Sequence, residues 1–202
     1  MSCTSSQGPR VRGPEHQQGE ILVQADESQG SAEIGSMPDV VELILAEHAR
    51  ISDLIEELGS ALMHTGPAAA QSEPGLAWAS LAAFLQFHID AAEEIAYQAW
   101  ASAEPGATSA IMQEVAIGGD IRDAVEEARL SLTGSRPWHL AVKTACKAAE
   151  SHIANLECAP LVQFQMHIAP TRRRDLGRQW VAFMTARSLD AVNQLPRDLR
   201  AP

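Results

Sequence analysis

The sequence predicts an all-α protein, an up-and-down four-helix bundle with an extra C-terminal helix. Three observations carry that expectation. Aromatic residues make up only 4% of the 202 positions and β-branched runs are few, whereas Ala, Leu, Glu and Gln dominate, a composition that favours helix over sheet. Apolar residues recur every three or four positions through several long segments. Those segments are joined by short connections marked with Gly and Pro, which suit antiparallel neighbours. A closed β architecture has no support.

The elements follow in chain order. Residues 1–35 are rich in Ser, Gly, Gln, Pro and Glu, with only Ile21-Leu22-Val23 as an apolar cluster, and read as a disordered tail. Residues 36–170 read as the helical bundle, and 171–202 as a C-terminal helix and tail. Ser36-Met37-Pro38-Asp39 carries the hydroxyl, proline and acid of a helix start. The seam that follows runs through Ile44, His48, Ile51, Ile55, Leu58 and Leu62, and this helix should end before Gly66-Pro67. A second helix, about Leu76 to Ala103, has its seam at Leu81, Phe84, His88, Ala91 or Ala92, and Ile95. A third, about Ser109 to Leu132, turns Ile111, Glu114 or Val115, Gly118, Ile121, Val125 and Ala128 inward. Gly118-Gly119 weakens it by about 1 kcal/mol per glycine relative to alanine. The fourth helix, about Trp138 to Met166, buries Ala145, Ala149, His152, Leu156 and Ala159, and Pro160 should kink or split it. The last, about Arg172 to Asn193, uses Leu176, Trp180, Phe183 and Met184 as its apolar face.

Charge and composition narrow the function classes. A formal charge of −11 repels phosphate backbones and anionic lipid surfaces, so nucleic-acid binding is disfavoured. The Arg172-Arg173-Arg174 run reads as a salt-bridged surface feature. No apolar run approaches the roughly 18 residues of a membrane span and no signal peptide is visible, which sets the expectation of a soluble cytoplasmic protein without membrane partners. Cys3, Cys146 and Cys158 lack metal-binding or disulfide spacing and read as reduced thiols, Cys158 as a buried inert one.

The seams contain a signal of their own. His48, His88 and His152 each fall where the helical period demands burial, and a buried imidazole without a partner is costly. A single one is more often a satisfied core residue than a ligand. Three on three helices of one bundle can face a common volume, which is how metal sites in bundles are built. His16, His64, His139 and His167 fall in the tail, at helix ends or in turns, and read as surface or capping residues.

The segments ILAEHARISDLIEEL, LAAFLQFHIDAAEEIAYQAW, GGDIRDAVEEARL and AAESHIANLE together resemble the hemerythrin-like (HHE) family, over about residues 38–170. That resemblance implies a four-helix bundle holding two non-haem irons, bridged by carboxylates and otherwise bound by histidines, that handles dioxygen, nitric oxide, peroxide or iron status. His48, His88 and His152 match the family's histidines on the first, second and fourth helices. The bridging glutamate expected four residues after the second-helix histidine is Ala92 here. The third-helix histidine falls at Gly118, and four residues beyond His152 lies Leu156.

Neighbouring acids are the candidate replacements. Glu93 and Glu157 stand five residues after their histidines, which on a regular helix turns them about 140° away. A π-bulge would swing either back, and Glu157 is the better candidate. Otherwise Glu93, Glu94 and Glu157 form a solvated helix face. Glu114 lies on the inner face, where it can serve as a carboxylate ligand. The expected metal set is thus His48, His88, Glu93, Glu114, His152 and Glu157, with the three histidines as the catalytic groups. Ala92, Gly118 and Leu156 are expected to open an apolar space for a cofactor or small-molecule ligand. Non-haem iron, one or two ions, is the first cofactor expectation, with redox or dioxygen-linked chemistry on a small molecule. The alternative is a metal-independent or haem-binding pocket in which a buried histidine acts as acid, base or axial ligand. Nothing in the pattern specifies an oligomeric state.

Overall fold

The computed structural model describes residues 38–63 and 72–194, and among these every regular element is helical. The expectations for the tail, His16, His64 and Cys3 lie outside the described residues.

Helix α1 spans Val40–Met63. Its cap is Asp39: the Asp39 carboxylate accepts the Val41 N–H at 3.0 Å, and the Glu42 carboxylate accepts the Asp39 N–H at 3.2 Å. This reciprocal pair satisfies two free donors of the first turn one residue after Pro38. Helix α2 is Ser72–Ala91 and continues without a break through a π-helical segment, Ala92–Tyr97, into α3, Gln98–Ala103. Glu104 leaves the helical region and a single tight turn, Pro105–Ala107, leads into α4, Thr108–Leu130. The connection to α5, Arg136–Cys158, needs Gly134 with φ 79°, a left-handed conformation that a side chain disfavours. Ser135 then caps α5, its hydroxyl accepting the Trp138 N–H at 3.3 Å.

Pro160 splits the predicted fourth helix. Ala159 turns out of helical geometry (φ −135°, ψ −38°), and α6, Pro160–His167, starts in a new direction because proline brings no N–H for the preceding turn. Ala159 is in consequence exposed, not buried. Helix α7 is Pro170–Gln194.

Packing runs from α1 to α2, α2 to α4, α4 to α5 and α5 back to α1, a closed ring of four long helices. The fifth long helix, α7, lies along α1 and α2. Leu54 and Leu85 are buried at positions where the seam reading placed Ile55 and Phe84, a shift of one residue on each helix.

Two apolar cores follow one another along the helices, the second shared with α3, α6 and α7. One gathers Ile51, Leu85, Ile89, Ile121, Trp138 and Ala149; the other gathers Ile44, Ala92, Trp100, Leu156, Phe164 and Trp180. Between them, His48 follows Ile44 and precedes Ile51 on α1, and His152 lies between Ala149 and Leu156 on α5. His88, between Leu85 and Ala91, does the same on α2. The three histidines thus form a polar layer separating two dry ones.

Candidate metal centre

The helical seams bring the three imidazoles together as a nearly equilateral triangle. Ring centroids are 5.0 Å apart for His48 and His88, and 5.4 Å for each ring to His152. All three residues are buried, at 1% exposure or less.

Each ring is held from behind by a carboxylate that comes from a different helix. Nδ1 of His48 lies 2.8 Å from Glu157, that of His88 2.8 Å from Glu47 and that of His152 2.8 Å from Glu114; opposite an ionised carboxylate each Nδ1 carries the hydrogen and donates it. With the hydrogen of a neutral imidazole at Nδ1, the lone pair lies on Nε2. The Nε2 atoms of His88 and His152 are 3.3 Å apart, and a set of three ligand atoms, one per histidine, fits within 4.8 Å. Nitrogen ligands about 2.0–2.1 Å from a tetrahedral ion stand roughly 3.3–3.4 Å from one another, so the His88–His152 spacing suits two ligands of one ion. The Nε2 of His48 is buried with no hydrogen-bond partner. An unsatisfied buried acceptor is costly, and a cation at the centre of the triangle satisfies it.

The electrostatics favour the same ligand form. Burial pushes His88 down to about 3, and the adjacent His152 ring adds to the effect. Burial also takes His48 down to about 3, reinforced by His88 and opposed by its hydrogen bond to Glu157. Both rings are therefore neutral at physiological pH, as metal ligation requires. Burial raises Glu47 to about 7, the Trp180 hydrogen bond partly opposing it.

These shifts predict how a chelator-treated chain responds to acid. The histidines ordinarily titrate at 6.5, so below that pH the unfolded chain takes up protons that the folded chain refuses. Their contribution is complete above 6.5 and is lost as pH falls toward 3. Glu47 acts in the opposite sense: the folded chain keeps a proton between 4.5 and about 7 that the unfolded chain releases. Two imidazoles against one carboxylate leave a net loss on acidification. The urea midpoint is expected to be lower near pH 5 than near pH 7.5, and one that held or rose would contradict the buried neutral rings.

The carboxylates take other places than the sequence suggested. Glu114 and Glu157 stand behind His152 and His48, on their Nδ1 side, and among the described residues the one cluster whose ligand atoms lie close enough to hold a metal ion is the three histidines. Glu114 is 2% exposed, on the inner face as expected, whereas the Glu157 side chain is 40% exposed. The π segment does occur just after His88, but the Glu93 carboxylate is taken by Arg122, whose Nη1 donates to it at 2.9 Å. Arg122 also donates to Asp90 at 3.0 Å, and Glu94 is exposed beside Arg187.

The space expected at Gly118 is filled. A Cβ there would lie 2.8 Å from Ile89 Cγ2 and 3.0 Å from Glu93 Oε1, so Ile89 and Glu93 occupy the volume a ligand side chain would have used. Ala92 packs into the apolar core. Leu156 instead lines a narrow apolar cavity one helical turn from His152, with Ile44, Tyr97, Trp100 and Phe164 among its other walls. A water-sized occupant has about 10 Å³ there for its centre, far too little for a porphyrin. Tyr97 Oη and Trp100 Nε1 are buried without partners, and burial together with Glu114 and Glu93 pushes the Tyr97 phenol up.

Sequence reasoning missed Glu47 and Trp180. Glu47 directly precedes a seam histidine, which is the one sequence signal it offered, yet it serves His88 on the next helix instead of its neighbour. Trp180 Nε1–H donates to the other oxygen of Glu47 at 2.7 Å, and its ring meets that of His88 at 5.7 Å. The remaining described histidines are peripheral: His139 is exposed against Trp138, and His167 pairs with Glu104 at 3.1 Å. Cys158 is exposed, contrary to the sequence reading, because it lies on the outer face of α5 at its last residue. Cys146 is half-buried and its thiol is pushed up to about 11, chiefly by burial. Arg173 of the basic run pairs with Asp39 at 2.6 Å. No described helix is long and apolar enough to cross a membrane.

Compared with known proteins, the chain matches no protein-family description, no curated protein and no solved structure.

Proposed function

We propose that the chain binds one transition-metal ion through Nε2 of His48, His88 and His152 and uses it in redox or dioxygen-linked chemistry on a small molecule. The observation that carries this reading is a carboxylate 2.8 Å from each Nδ1, which turns the other ring nitrogens inward: Nε2 of His88 and His152 are 3.3 Å apart, and the buried Nε2 of His48 has no partner. Carboxylates behind ligating histidines fix tautomer and ring orientation and raise ligand basicity. Three imidazoles suit iron, zinc, copper and nickel alike. Iron is the identity that the hemerythrin-like resemblance implies. A single ion is the count the residues support, because Ala92, Gly118 and Leu156 offer no ligand and the three nearby carboxylates are already engaged on the outer side of the rings.

The protein's part in such chemistry is positional and electrostatic. The histidines hold the ion, Glu47, Glu114 and Glu157 hold the Nδ1 protons in place, and the apolar cores on either side exclude water. When bound, iron supplies a redox couple and an open coordination position. The metal-independent alternative gains little from these residues. An imidazole held near 3 is a weak base at neutral pH, and the adjoining cavity cannot admit haem.

Elemental analysis of full-length protein from iron-supplemented cells tests the proposal. About one iron per chain, lost in His88→Ala, is the expected result. A chain that carried well below one equivalent of any transition metal, and took none up after unfolding and refolding with Fe²⁺, would overturn it.

A further inference from the structure

We infer that the C-terminal helix is part of the metal centre: Trp180 and Glu47 are positioning residues for His88, and metal occupancy is coupled to the docking of α7. The inference rests on the reading that the three histidines hold a metal.

Glu47 differs from the other two supporting carboxylates in its tether. One oxygen accepts the His88 Nδ1–H at 2.8 Å, and the other accepts the Trp180 indole N–H at 2.7 Å. An indole N–H is a donor only, so this bond has one polarity. With both oxygens committed, the carboxylate cannot rotate without breaking a bond. When that carboxylate is ionised, the ring it holds keeps its hydrogen on Nδ1 and its lone pair toward the centre. Trp180 is 1% exposed and belongs to the same apolar core as Ile44 and Leu156, each one turn from a ligand histidine.

Among the described side chains of α7, Leu176, Gly177 and Trp180 are buried and Phe183 and Met184 are half-buried against the same core, while Val181 and Leu189 are exposed although apolar. Arg173 to Asp39 fastens one end, and Arg187 to Asp90 at 3.3 Å fastens the other. The helix thus docks around the turn that carries Trp180. Whatever an oriented His88 adds to metal affinity must appear, by reciprocity, as tighter docking of α7.

The test uses the full-length chain and Co²⁺ as probe, with visible absorption reporting binding and hydrogen exchange followed over residues 176–190. In wild type, Co²⁺ is expected to slow exchange in α7 by about tenfold. Trp180→Phe keeps an aromatic ring in the core and removes the donor together with the second ring of the indole. It should weaken Co²⁺ binding about 10–100-fold and leave α7 exchange insensitive to the metal. A merely structural tryptophan would lower the melting temperature alone, so ¹⁵N shifts of the His88 ring are recorded in the metal-free proteins. Recorded at about pH 8.5, above the value of about 7 to which burial raises Glu47, they are expected to show Nδ1–H fully populated in wild type and mixed tautomers in the variant.

Equal Co²⁺ affinity and unchanged His88 shifts in Trp180→Phe would overturn the inference while leaving the metal site standing. Should the variant fail to fold, the wild-type comparison decides: α7 exchange that ignores bound Co²⁺ overturns it. A wild-type chain that bound no Co²⁺ would remove the metal reading, and this inference with it.

Discussion

Glu47→Gln is expected to keep the fold and lose the metal. The substitution preserves shape, but an amide has one acceptor and one donor end where the carboxylate has two acceptors. If the amide oxygen keeps the Trp180 N–H, its NH₂ faces His88 Nδ1. The imidazole must then carry its hydrogen on Nε2, where it blocks the lone pair that faces the other two rings. The alternative flip keeps the His88 tautomer and sets two donors, Trp180 Nε1–H and the amide, against each other in a buried site, at about 1–3 kcal/mol. Either outcome penalises the ligating form. Metal affinity should fall by about 100-fold, toward the upper end of what loss of a supporting carboxylate costs, while the melting curve of the metal-free protein moves little. Titration against a competing chelator measures the first and circular dichroism the second. Unaltered affinity in a folded Glu47→Gln protein would mean that His88 is oriented by something other than this carboxylate.

Gly177→Ala should give the largest stability loss of any single-methyl addition to the described helices. A Cβ at 177 would run into the Pro38 carbonyl oxygen, with Pro38 C and Val40 N each 3.3 Å away. The obstacle is backbone at the capped start of α1, which cannot swing aside as a side chain would. Helix α7 must instead lift, and the two bonds that flank Gly177 stretch with it, Arg173 to Asp39 and Trp180 to Glu47. Forcing a methyl into so close a crossing costs about 2–3 kcal/mol, or a fall in melting temperature of roughly 4–12 °C for a domain of this size. Gly119→Ala is the control, since a Cβ there meets nothing within 4 Å. That change should raise stability by up to about 1 kcal/mol through helix propensity. Equal effects at the two positions would show that α7 does not cross α1 this closely.

The helices were readable because each was written into a local period with local stops. His48, His88 and His152 could be singled out for the same reason: a seam is a property of one helix, and an imidazole in a seam is visible without knowing what lies opposite. Pro160 acted where it was expected to act, because the lost N–H belongs to its own residue. The shifts from Ile55 to Leu54 and from Phe84 to Leu85 mark the limit of that method. A neighbouring helix chooses among adjacent apolar positions by how it packs.

Glu114 could be placed on an inner face in the same way, but the partners of the acids could not. Glu93 needed a π-bulge to face the centre; the π segment is there, yet its carboxylate is captured by Arg122 on α4, 29 residues away. Glu157 was judged by its angle from His152 and instead serves His48, 109 residues distant. Glu47 adjoins His48 and serves His88, and Trp180 reaches it from 133 residues further on. Sequence alone determined the class of fold and the three buried imidazoles, since helical periodicity and burial are encoded within single segments. Only the tertiary structure decided which carboxylate backs which ring, because a hydrogen bond between helices depends on their relative register and rotation, and no one helix contains that information.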